Sequence, residues 1–518
     1  MLIRAPFTNE PTVDFSQEEN REAMLAALAD VKSQLGQRYP LIIDGKPRET
    51  GHWIRSVSPS DPSLLVGEVA KASPADVEDA ISAAQRAFKE WQNIPVEGRA
   101  SVLARTAAII RRRRLELSAW MVYELDKAWD EADGEVAEAI DFLEWYARKA
   151  IELAEPVDLA HLPEEINAYD YRPIGVGVII PPWNFPCAIL TGMTMAPVVV
   201  GNTVIVKPAS NTPVIGYKMI EIMAEAGVPA GVVNFLPGDG GEIGDLLVDD
   251  PRVRFVAFTG SKAVGIRIYE RAAKVHPGQR WLKRVTAEMG GKDAIVVDAE
   301  ADVDAAVEGI VTAAFGFQGQ KCSACSRAIV HADVYDDVVK GVVERTRKLV
   351  TSGPAVEGKA TVGAVVDDKQ FQSIKNYIEI GKGESNLVYQ GETPDLPGYY
   401  VPPTIFADVP EQARIAQEEI FGPVLAIIKA DDFEDAMRIA NDTEYGLTGS
   451  VYSRNRAKLE QARREFVVGN LYLNRKCTGA MVGVHPFGGT KLSGTNAKTG
   501  SPDYLLNFVE PKAVGELL

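Results

Sequence analysis

The stretch VGVIIPPWNFP, residues 176–186, decides the fold class of this chain. A nearly continuous apolar run, Val176–Ile180, ends at a loop that contains three prolines. Such a run is typical of a strand buried on both faces of a parallel sheet, as in α/β proteins. Open α/β sheets bind ligands beyond the carboxyl ends of their strands. Asn184 would then be a side-chain donor at a ligand site, and a structural turn capped by Asn is the alternative.

Short apolar runs of the same kind recur after residue 200 and predict a parallel sheet with helices on its faces. Helical patterns such as NTPVIGYKMIEIMAEAG, residues 211–227, separate the apolar runs, as in βαβ units. The further runs are NTVIVKP (202–208), VVNFLPG (232–238), RVRFVAFTGS (252–261) and DAIVVDA (293–299). A second alternating series, from SRAIVH at residue 326 to LTGSVYSR at 447–454, predicts a second α/β domain.

The segments outside these series predict helices and an extra pair of strands. Residues from about Ala75 to Glu155 carry apolar side chains at helical spacing and should form long amphipathic helices. Two strand-like segments, INAYDYRPIG (166–175) and YLLNFVEPKAV (504–514), belong to neither series. They could pair with each other as an edge or as an oligomerisation element.

Composition narrows the classes of function. The chain has 518 residues, more than the roughly 250–300 that one core supports, so two or three domains are expected. The net charge of -17 disfavours nucleic acid as a partner, because phosphate binding needs a basic surface. Four cysteines are too few for a disulfide framework, and we see neither a secretory signal nor an apolar run of roughly 18 residues. We therefore expect a cytoplasmic protein with no membrane partner.

The histidines argue against metal chemistry. There are five, and none has an H-x-x-x-H or H-E-x-x-H spacing, which disfavours a metal site and Ser–His or Cys–His catalysis. An enzyme of this composition would use a carboxylate as its base. Glu288, just before the Gly-Gly turn of VTAEMGGKDAIVV (285–297), is a candidate, and a solvated surface carboxylate is the alternative.

Two glycine-containing segments follow strands and could bind a nucleotide. PGDGGEIG (237–244) lacks G-x-G-x-x-G spacing because residue 243 is Ile, and an ordinary strand-to-helix turn is the alternative. In RFVAFTGSKAVG (254–265), a turn precedes a helix whose free N–H groups are a ready anion site. Gly260 would allow close backbone approach there, and Ser261 could donate a hydrogen bond to a pyrophosphate.

The segment GFQGQKCSACSR (316–327) holds a C-x-x-C pair, Cys322 and Cys325. A zinc site needs about four ligands, and the other two cysteines are isolated. A thioredoxin-type dithiol would lie early in a small domain, unlike this pair. The remaining interpretations are an inert buried pair and one reactive thiolate near a helix start. Lys321 or N–H dipoles would lower the pKa of that thiolate from about 8.5.

Taken in order, these segments resemble the motifs of the aldehyde dehydrogenase superfamily. The matching motifs are PWNFP (182–186), VIVKPA (204–209), FTGS (258–261), EMGGK (288–292), GQKC (319–322), EEIFGPV (418–424) and PFGG (486–489). The helical N-terminal part fits too, so the resemblance covers nearly the whole chain. Residues 135–156, 316–327 and 474–500 are similar to the branch that acts on glutamate semialdehyde.

The resemblance implies an α/β, aldehyde-dehydrogenase-like fold with three parts. Residues 1–165 and 174–288 would form a Rossmann-type NAD(P)-binding domain with its N-terminal helices, and residues 289–500 an α/β catalytic domain. Residues 166–173 with 501–518 would form a small β oligomerisation element. The resemblance also implies a homo-oligomer built from dimers, which could contact a proline dehydrogenase transiently.

The resemblance implies three catalytic residues. By its place in G-Q-x-C, Cys322 would attack the aldehyde carbon. The side-chain amide of Asn184 and the backbone N–H of Cys322 would form the oxyanion hole, and Glu288 would activate water to hydrolyse the thioester. The implied reaction converts L-glutamate γ-semialdehyde, in equilibrium with 1-pyrroline-5-carboxylate, to L-glutamate, the second step of proline catabolism. Succinate semialdehyde or a glyceraldehyde phosphate as substrate, and a non-catalytic scaffold role, are the alternatives.

The implied cofactor is NAD. Its binding residues would be Trp183, Lys207, Ser210, Gly240, Gly244, Gly260, Ser261, Glu419 and Phe421. Lys207 would hydrogen-bond the adenosine ribose and Glu419 the nicotinamide ribose. Ser210 stands where many NAD-specific members have the glutamate of K-P-A-E, and without that carboxylate a 2′-phosphate meets less repulsion. We therefore expect NADP to be tolerated.

The branch pattern implies a substrate pocket. Its residues would be Glu138, Phe185, Ser323, Gly479, Ala480 and Phe487. Ser323 and the Gly479–Ala480 turn would surround the α-carboxylate, because backbone N–H groups bind an anion without a formal charge. Phe185 and Phe487 would flank the aliphatic part. His485 stands where glutamine is expected, and both side chains can hydrogen-bond.

Overall fold

The structure is a computed structural model that describes residues 6–349 and 352–518. Residues 1–5, which belong to the predicted first domain and to the segment searched for a secretory signal, lie outside the described residues. The N-terminal part contains the helices α1 (Glu18–Lys32), α2 (Pro74–Trp91), α3 (Val96–Arg112), α4 (Arg114–Leu125) and α5 (Trp129–Leu153). Its strands are β1 (Gln37–Tyr39), β2 (Leu41–Ile43), β3 (Lys46–Arg48), β4 (Trp53–Ser58), β5 (Asp61–Ala70) and β6 (Glu165–Pro173).

The predicted helices between residues 75 and 155 are confirmed as α2 to α5. The start of α2 is fixed by a capping box, in which the Ser73 side chain accepts from the Asp76 N–H and Asp76 accepts from the Ser73 N–H. Pro74 follows at the first helical position, where its missing N–H is not needed. Helix α5 packs against α3 and against a later helix, Ala188–Val199.

The predicted parallel sheet forms around Val176–Ile180. The elements of this region are β7 (Val176–Ile180), α6 (Ala188–Val199), β8 (Thr203–Val206), α7 (Pro213–Glu225), β9 (Val233–Phe235), α8 (Asp245–Asp249), β10 (Val253–Thr259), α9 (Lys262–Ala273) and β11 (Arg284–Glu288). The strand order is β11-β10-β7-β8-β9-β2-β3, with parallel pairing from β11 to β9 and antiparallel pairing at β2 and β3. In register, Ile180 lies opposite Phe258 and Thr259 opposite Glu288, so these strands end side by side.

The second predicted α/β series forms a separate sheet. The elements that follow along the chain are β12 (Ala294–Val297), α10 (Val303–Phe315), β13 (Arg327–His331), α11 (Tyr335–Leu349), α12 (Asp368–Glu384), β14 (Asn386–Gln390), β15 (Thr404–Ala407), α13 (Arg414–Gln417), β16 (Val424–Ala430), α14 (Phe433–Asn441), β17 (Tyr445–Gly446), β18 (Thr448–Tyr452), α15 (Arg456–Glu465), β19 (Asn470–Leu473), β20 (Thr490–Lys491) and β21 (Val509–Leu517). Strands β17 and β20 pair with each other outside the second sheet. The strand order is β14-β15-β16-β13-β12-β18-β19.

One expected strand belongs to the other sheet. The run DAIVVDA, grouped by its texture with the first series, forms β12, which pairs in parallel with β13 and β18 of the second sheet. The apolar pattern predicts a buried strand correctly but carries no information about its neighbours. The five residues between β11 and β12 therefore cross from one sheet to the other.

The two unplaced segments pair with each other. Strands β6 and β21 run antiparallel from Val509 opposite Pro173 to Leu517 opposite Glu165. Residues Tyr504–Phe508, expected to be strand-like, form a 3-10 turn whose aromatic rings are buried. The ribbon is largely exposed, with Ile166 55% and Leu517 75% accessible.

The sheets agree with a division near residue 288, and we propose the three parts expected from the sequence as the domains of this chain. The ribbon of β6 and β21 would be the oligomerisation element. Among the described residues, no helix is both long enough and apolar enough to cross a membrane.

Candidate active site

The ends of the parallel strands bring the predicted site residues to one edge. Asn184 follows β7, Lys207 follows β8, Gly260 follows β10 and Glu288 ends β11. The backbone N–H of Gly260 donates to the carbonyl oxygen of Glu288 at 3.0 Å. A ligand placed beyond this edge can therefore meet all four segments.

The C-x-x-C pattern suggested that Cys322 lies at a helix start. The structure shows that it does not. Cys322 occupies a turn after α10, and the chain then runs extended into β13. Before the turn, Phe317, Gln318 and Gly319 have φ values of 49°, 56° and 66°, in the left-handed region. Non-glycine residues rarely adopt that conformation, so this kink marks a constrained segment. The kink ends α10 and turns the chain toward Asn184.

Asn184 is tied to the nucleophile segment. Its side-chain amide donates to the carbonyl oxygen of Gln320 at 3.0 Å, and the residue is 4% exposed. The side chain of Gln320 in turn accepts from the backbone N–H of Val366 at 3.0 Å. These bonds hold the amide of Asn184 against residue 320, two residues before Cys322 in the chain.

The thiol of Cys322 sits in a site that disfavours its charge. Burial raises the pKa of the thiol, and the negative fields of Asp293, Glu419 and Glu288 add to that effect. The backbone N–H of Ser323 acts in the opposite direction by hydrogen-bonding the sulfur. Lys321, the expected activating neighbour, pairs instead with Glu131 at 2.6 Å. The thiol therefore needs a base to take its proton.

Glu288 is buried and has one free carboxylate oxygen. Its Oε2 atom accepts from the backbone N–H of Gly489 at 2.9 Å, while Oε1 has no hydrogen-bond partner within residues 6–349 and 352–518. Burial raises the pKa of Glu288 to about 8, against the hydrogen bond from Gly489. A carboxyl group with a pKa near working pH suits a general base. Phe487, one residue before the Gly488–Gly489 pair, holds this loop through backbone bonds with Thr499 at 2.9 and 2.8 Å.

Glu419 meets the same region from the second sheet. Its Oε1 atom accepts from the backbone N–H of Gly291 at 3.1 Å, and burial raises the pKa of Glu419 to about 7. The Trp183 and Phe421 rings pack edge to face, with their centroids 5.5 Å apart. These contacts bring three predicted cofactor residues together at the boundary between the sheets.

The remaining predicted cofactor residues line open space at the first sheet. A Cβ atom added at Gly240 or Gly244 would meet no atom of the described chain within 4 Å. Ser261 precedes α9 without capping it through its side chain, so the hydroxyl stays available, and Ser210 is exposed. Burial lowers the pKa of Lys207, whose ammonium lies a long 3.4 Å from the carbonyl oxygen of Pro208. Free donors at a helix N-terminus and beside glycines fit a dinucleotide.

One contact links the turn of Cys322 to the segment that carries two of the predicted substrate residues. The carbonyl oxygen of Ser323 accepts from the Cys477 thiol at 3.4 Å, which joins the nucleophile turn to the segment that carries Gly479 and Ala480. Gly479 has a φ of 78°, a left-handed value that favours glycine. Burial raises the pKa of Glu138 to about 8, and the charge on Lys321 is close enough to oppose that shift.

Cys325 packs beside Cys477. Cys325 and Cys477 are 1% and 0% exposed and belong to one hydrophobic cluster. The neighbouring Cys325 thiol, together with burial, raises the pKa of Cys477. Cys325 lies in the non-helical segment between the Cys322 turn and β13.

Residues 46–514 match the aldehyde dehydrogenase family. This chain belongs to that family. The 1-pyrroline-5-carboxylate dehydrogenase of Geobacillus kaustophilus (strain HTA426) is 56% identical over 512 residues, which are 99% of this chain and 99% of the relative. The protein of the same name from Staphylococcus aureus (strain MW2) is 55% identical over 511 residues, again 99% of each chain.

Solved structures of the family superpose closely. A 1-pyrroline-5-carboxylate dehydrogenase from Thermus with bound NAD has a TM-score of 0.98 and 54% identity, over 99% of each chain. Proline utilization A from Bdellovibrio bacteriovorus has a TM-score of 0.97 and 47% identity. It is matched over 99% of this chain and 53% of its own length. The predicted aldehyde dehydrogenase fold is confirmed by these similarities.

A basic cluster near the substrate turn was missed in the sequence. Arg475 donates to the carbonyl oxygens of Thr478 and Gly479 at 2.9 and 3.0 Å, and to His485 at 3.0 Å. Burial and the charge of Lys321 lower the pKa of Lys476. The signal was present in NRKCTG, where two cations precede the turn. The acidic composition of the chain instead favoured backbone N–H groups as the donors to a substrate carboxylate. Within the described ranges no three His, Cys, Asp or Glu side chains are grouped to hold a metal ion.

A buried ion pair behind Asn184 was also missed. Lys127 and Glu135 form a salt bridge with both side chains 0% exposed, and Lys127 also donates to the carbonyl oxygen of Asn184 at 2.8 Å. The ammonium lies 4.2 and 4.1 Å from the ring centroids of Phe185 and Phe317. Glu135 accepts from the N–H groups that begin α6. No periodic pattern marks such a pair in a sequence.

We predict that Lys127→Met lowers the free energy of unfolding by about 3–5 kcal/mol, because it leaves Glu135 buried and unpaired. The double variant Lys127→Met/Glu135→Gln should recover much of that loss, since it removes both charges. Urea unfolding midpoints of the two variants and the parent check this. A double variant less stable than Lys127→Met would show that the two side chains do not act as a pair.

Proposed function

We propose that this chain oxidises L-glutamate γ-semialdehyde, which is in equilibrium with 1-pyrroline-5-carboxylate, to L-glutamate with NAD. This is the second step of proline catabolism. The observation that carries the proposal is the joint position of Cys322, Asn184 and Glu288 at the edge between the sheets. The names of relatives that align over 99% of both chains support the choice of substrate.

The first step forms a bond between Cys322 and the aldehyde carbon. We assign the thiol proton to Glu288, because its free Oε1 and its pKa of about 8 suit a group that accepts a proton near neutral pH. The aldehyde oxygen becomes an oxyanion that accepts from the Asn184 amide and the Cys322 N–H. Losing one such donor typically slows the reaction about 10²–10³-fold.

The cofactor fits the residues present. Lys207 would hold the adenosine ribose, Gly240, Gly244, Gly260 and Ser261 the pyrophosphate side, and Glu419 the nicotinamide ribose. Trp183 and Phe421 would flank it. When bound, NAD supplies the hydride acceptor that turns the adduct on Cys322 into a thioester.

The last step breaks the thioester. Glu288 first releases to solvent the proton it took from the thiol. It then takes a proton from water, the water oxygen bonds to the acyl carbon, and the carbon–sulfur bond breaks to return the Cys322 thiolate. Glu288 must be ionised for this step, and its raised pKa means that the ionised fraction grows as pH rises through about 8. The pairing of Oε2 with Gly489 leaves Oε1 to act.

For the substrate, we assign the α-carboxylate to the Gly479–Ala480 turn and to Ser323. Arg475 fixes the turn through two carbonyl oxygens, and Lys476 adds positive charge beside it. Phe185 and Phe487 would contact the aliphatic carbons, and Glu138 would lie in the aldehyde pocket. Cations around the turn suit a substrate that carries a carboxylate as well as an aldehyde.

We propose that the chain works as a homo-oligomer built from dimers in a reducing, cytoplasmic setting. The exposed β6–β21 ribbon and the exposed apolar residues of α9, including Val264 and Tyr269, support self-association. A transient contact with a proline dehydrogenase is supported by proline utilization A, of which this chain covers 53%.

The substrate assignment predicts a clear preference among semialdehydes. Glutamate semialdehyde should be oxidised with a kcat/KM at least about tenfold above that of succinate semialdehyde, because the latter lacks the α-amino group and presents its carboxylate one carbon closer. NADH formation at 340 nm measures both. Equal or reversed preference would contradict the substrate assignment, and Cys322→Ala, which should abolish turnover, serves as the control.

The cofactor assignment predicts that NADP is accepted. Because Ser210 offers no carboxylate to repel a 2′-phosphate, the ratio of kcat/KM for NAD to that for NADP should stay below about 10³. The variant Ser210→Glu should raise that ratio by adding the missing charge. A parent ratio above about 10³, or a ratio unchanged in Ser210→Glu, would contradict the role of this position.

A further inference from the structure

A cleft of about 840 Å³ lies apart from the residues assigned to the reaction. Its walls are residues 12–16, the start of α5, the end of α10 and residues 358–362. The volume is within the range of small-molecule sites, roughly 300–1,000 Å³. Glu131 forms part of the wall and is paired with Lys321, the neighbour of Cys322. The cleft therefore lies behind the nucleophile turn.

The cleft has a rigid aromatic floor. Trp129 is 5% exposed, and the ring of Phe15 packs edge to face on it at 5.5 Å. Gly358, with a φ of 65°, packs so closely that an added Cβ would come within 2.7 Å of the Trp129 ring. Val311 and Phe315 of α10 extend the apolar wall. Such a surface suits an apolar group of a ligand.

A positive charge in this cleft has no counter-ion among the described residues. The guanidinium of Arg21 lies 5.4 Å from the centroid of the Trp129 ring, and Arg21 lines the cleft. Across residues 6–349 and 352–518, no carboxylate pairs with it and no carbonyl oxygen accepts from it. The other cation of the cleft, Lys359, is engaged in an interaction of its own.

A negative charge in the same cleft is also uncompensated. Asp130 begins α5 beside Trp129, and in the described part of the chain it has neither a salt bridge nor a hydrogen-bond donor on its side chain. Burial and the fields of Asp133, Glu131 and Asp14 raise the pKa of Asp130. The nearby carboxylates are already used, since Glu131 pairs with Lys321 and Asp14 accepts from Ser16 and Gln17. Within the described part of the chain, no salt bridge joins Arg21 to Asp130.

We propose that this cleft binds a small zwitterion, an amino acid with an apolar side chain. Its carboxylate would accept from Arg21, its ammonium would donate to Asp130, and its side chain would lie on the Trp129 and Phe15 rings. One ligand that carries both charges satisfies two groups that the protein leaves unpaired, and charge-assisted hydrogen bonds are the strong ones. The site is separate from the proposed catalytic pocket.

Calorimetric titration of the full-length protein tests the proposal with three probes. These are L-phenylalanine, 3-phenylpropanoate, which lacks the ammonium, and phenethylamine, which lacks the carboxylate. L-Phenylalanine should bind about one molecule per chain and at least about tenfold more tightly than either analogue. Binding of L-phenylalanine no tighter than of the analogues, or no saturable binding at millimolar concentration, would overturn the proposal.

Two variants locate the binding. Arg21→Gln should weaken the binding of L-phenylalanine and 3-phenylpropanoate about tenfold and leave the binding of phenethylamine unchanged. Asp130→Asn should weaken the binding of L-phenylalanine and phenethylamine about tenfold and leave that of 3-phenylpropanoate unchanged. Arg86→Gln, at an exposed surface arginine, is the matched control and should change none of them. Retained aldehyde oxidation shows that both variants are folded. Loss of all three probes equally, or of none, would contradict the assigned contacts.

Discussion

The close approach of three chain segments at Gly290 and Gly291 is the constraint on which the site depends. A Cβ atom at Gly290 would lie 2.0 Å from the Glu419 carboxylate, and one at Gly291 would lie 2.7 Å from the carbonyl oxygen of Cys322. These two residues cross from the last strand of the first sheet to the second sheet. A larger residue at 291 would have to displace the Cys322 backbone, and one at 290 would have to displace the Glu419 carboxylate, so glycine at both positions lets the segments of Glu288, Cys322 and Glu419 meet.

Burial at this crossing decides the chemistry. It raises the pKa values of the Cys322 thiol, Glu288 and Glu419, so that the thiol stays protonated and the two carboxyl groups hold protons that they would lose in water. The proton must therefore move between the thiol and a carboxylate as the reaction proceeds. The chain has a net charge of -17, yet Lys321, Lys476 and Arg475 gather near the substrate turn. The local positive charge at this turn suits an acidic substrate, although the net charge of the chain is negative.

Much of this architecture was predictable, because apolar runs and helical periodicity directly reflect burial. The runs that became β7, β8, β9 and β10 were predicted, whereas β12 was grouped with the wrong sheet because its pattern does not encode its neighbours. The turn around Cys322 was expected at a helix start, since the left-handed residues before it have no sequence signature except Gly319. The Lys127–Glu135 ion pair could not be predicted, because nothing in the sequence distinguishes a buried pair of charged residues from an exposed pair.

The most direct measurement is to trap the acyl group on the enzyme. Glu288→Gln keeps the thiol and the oxyanion donors but cannot take the proton of water. Because Glu288→Gln also cannot take the thiol proton, which must then pass to solvent, the acyl group should form slowly. Mixed with aldehyde and NAD, the variant should slowly release about one NADH per site and then stop. Intact and peptide mass spectrometry should then show an acyl group on Cys322. Steady turnover by Glu288→Gln, or an acyl group on Cys325 or Cys477 in place of Cys322, would contradict the account.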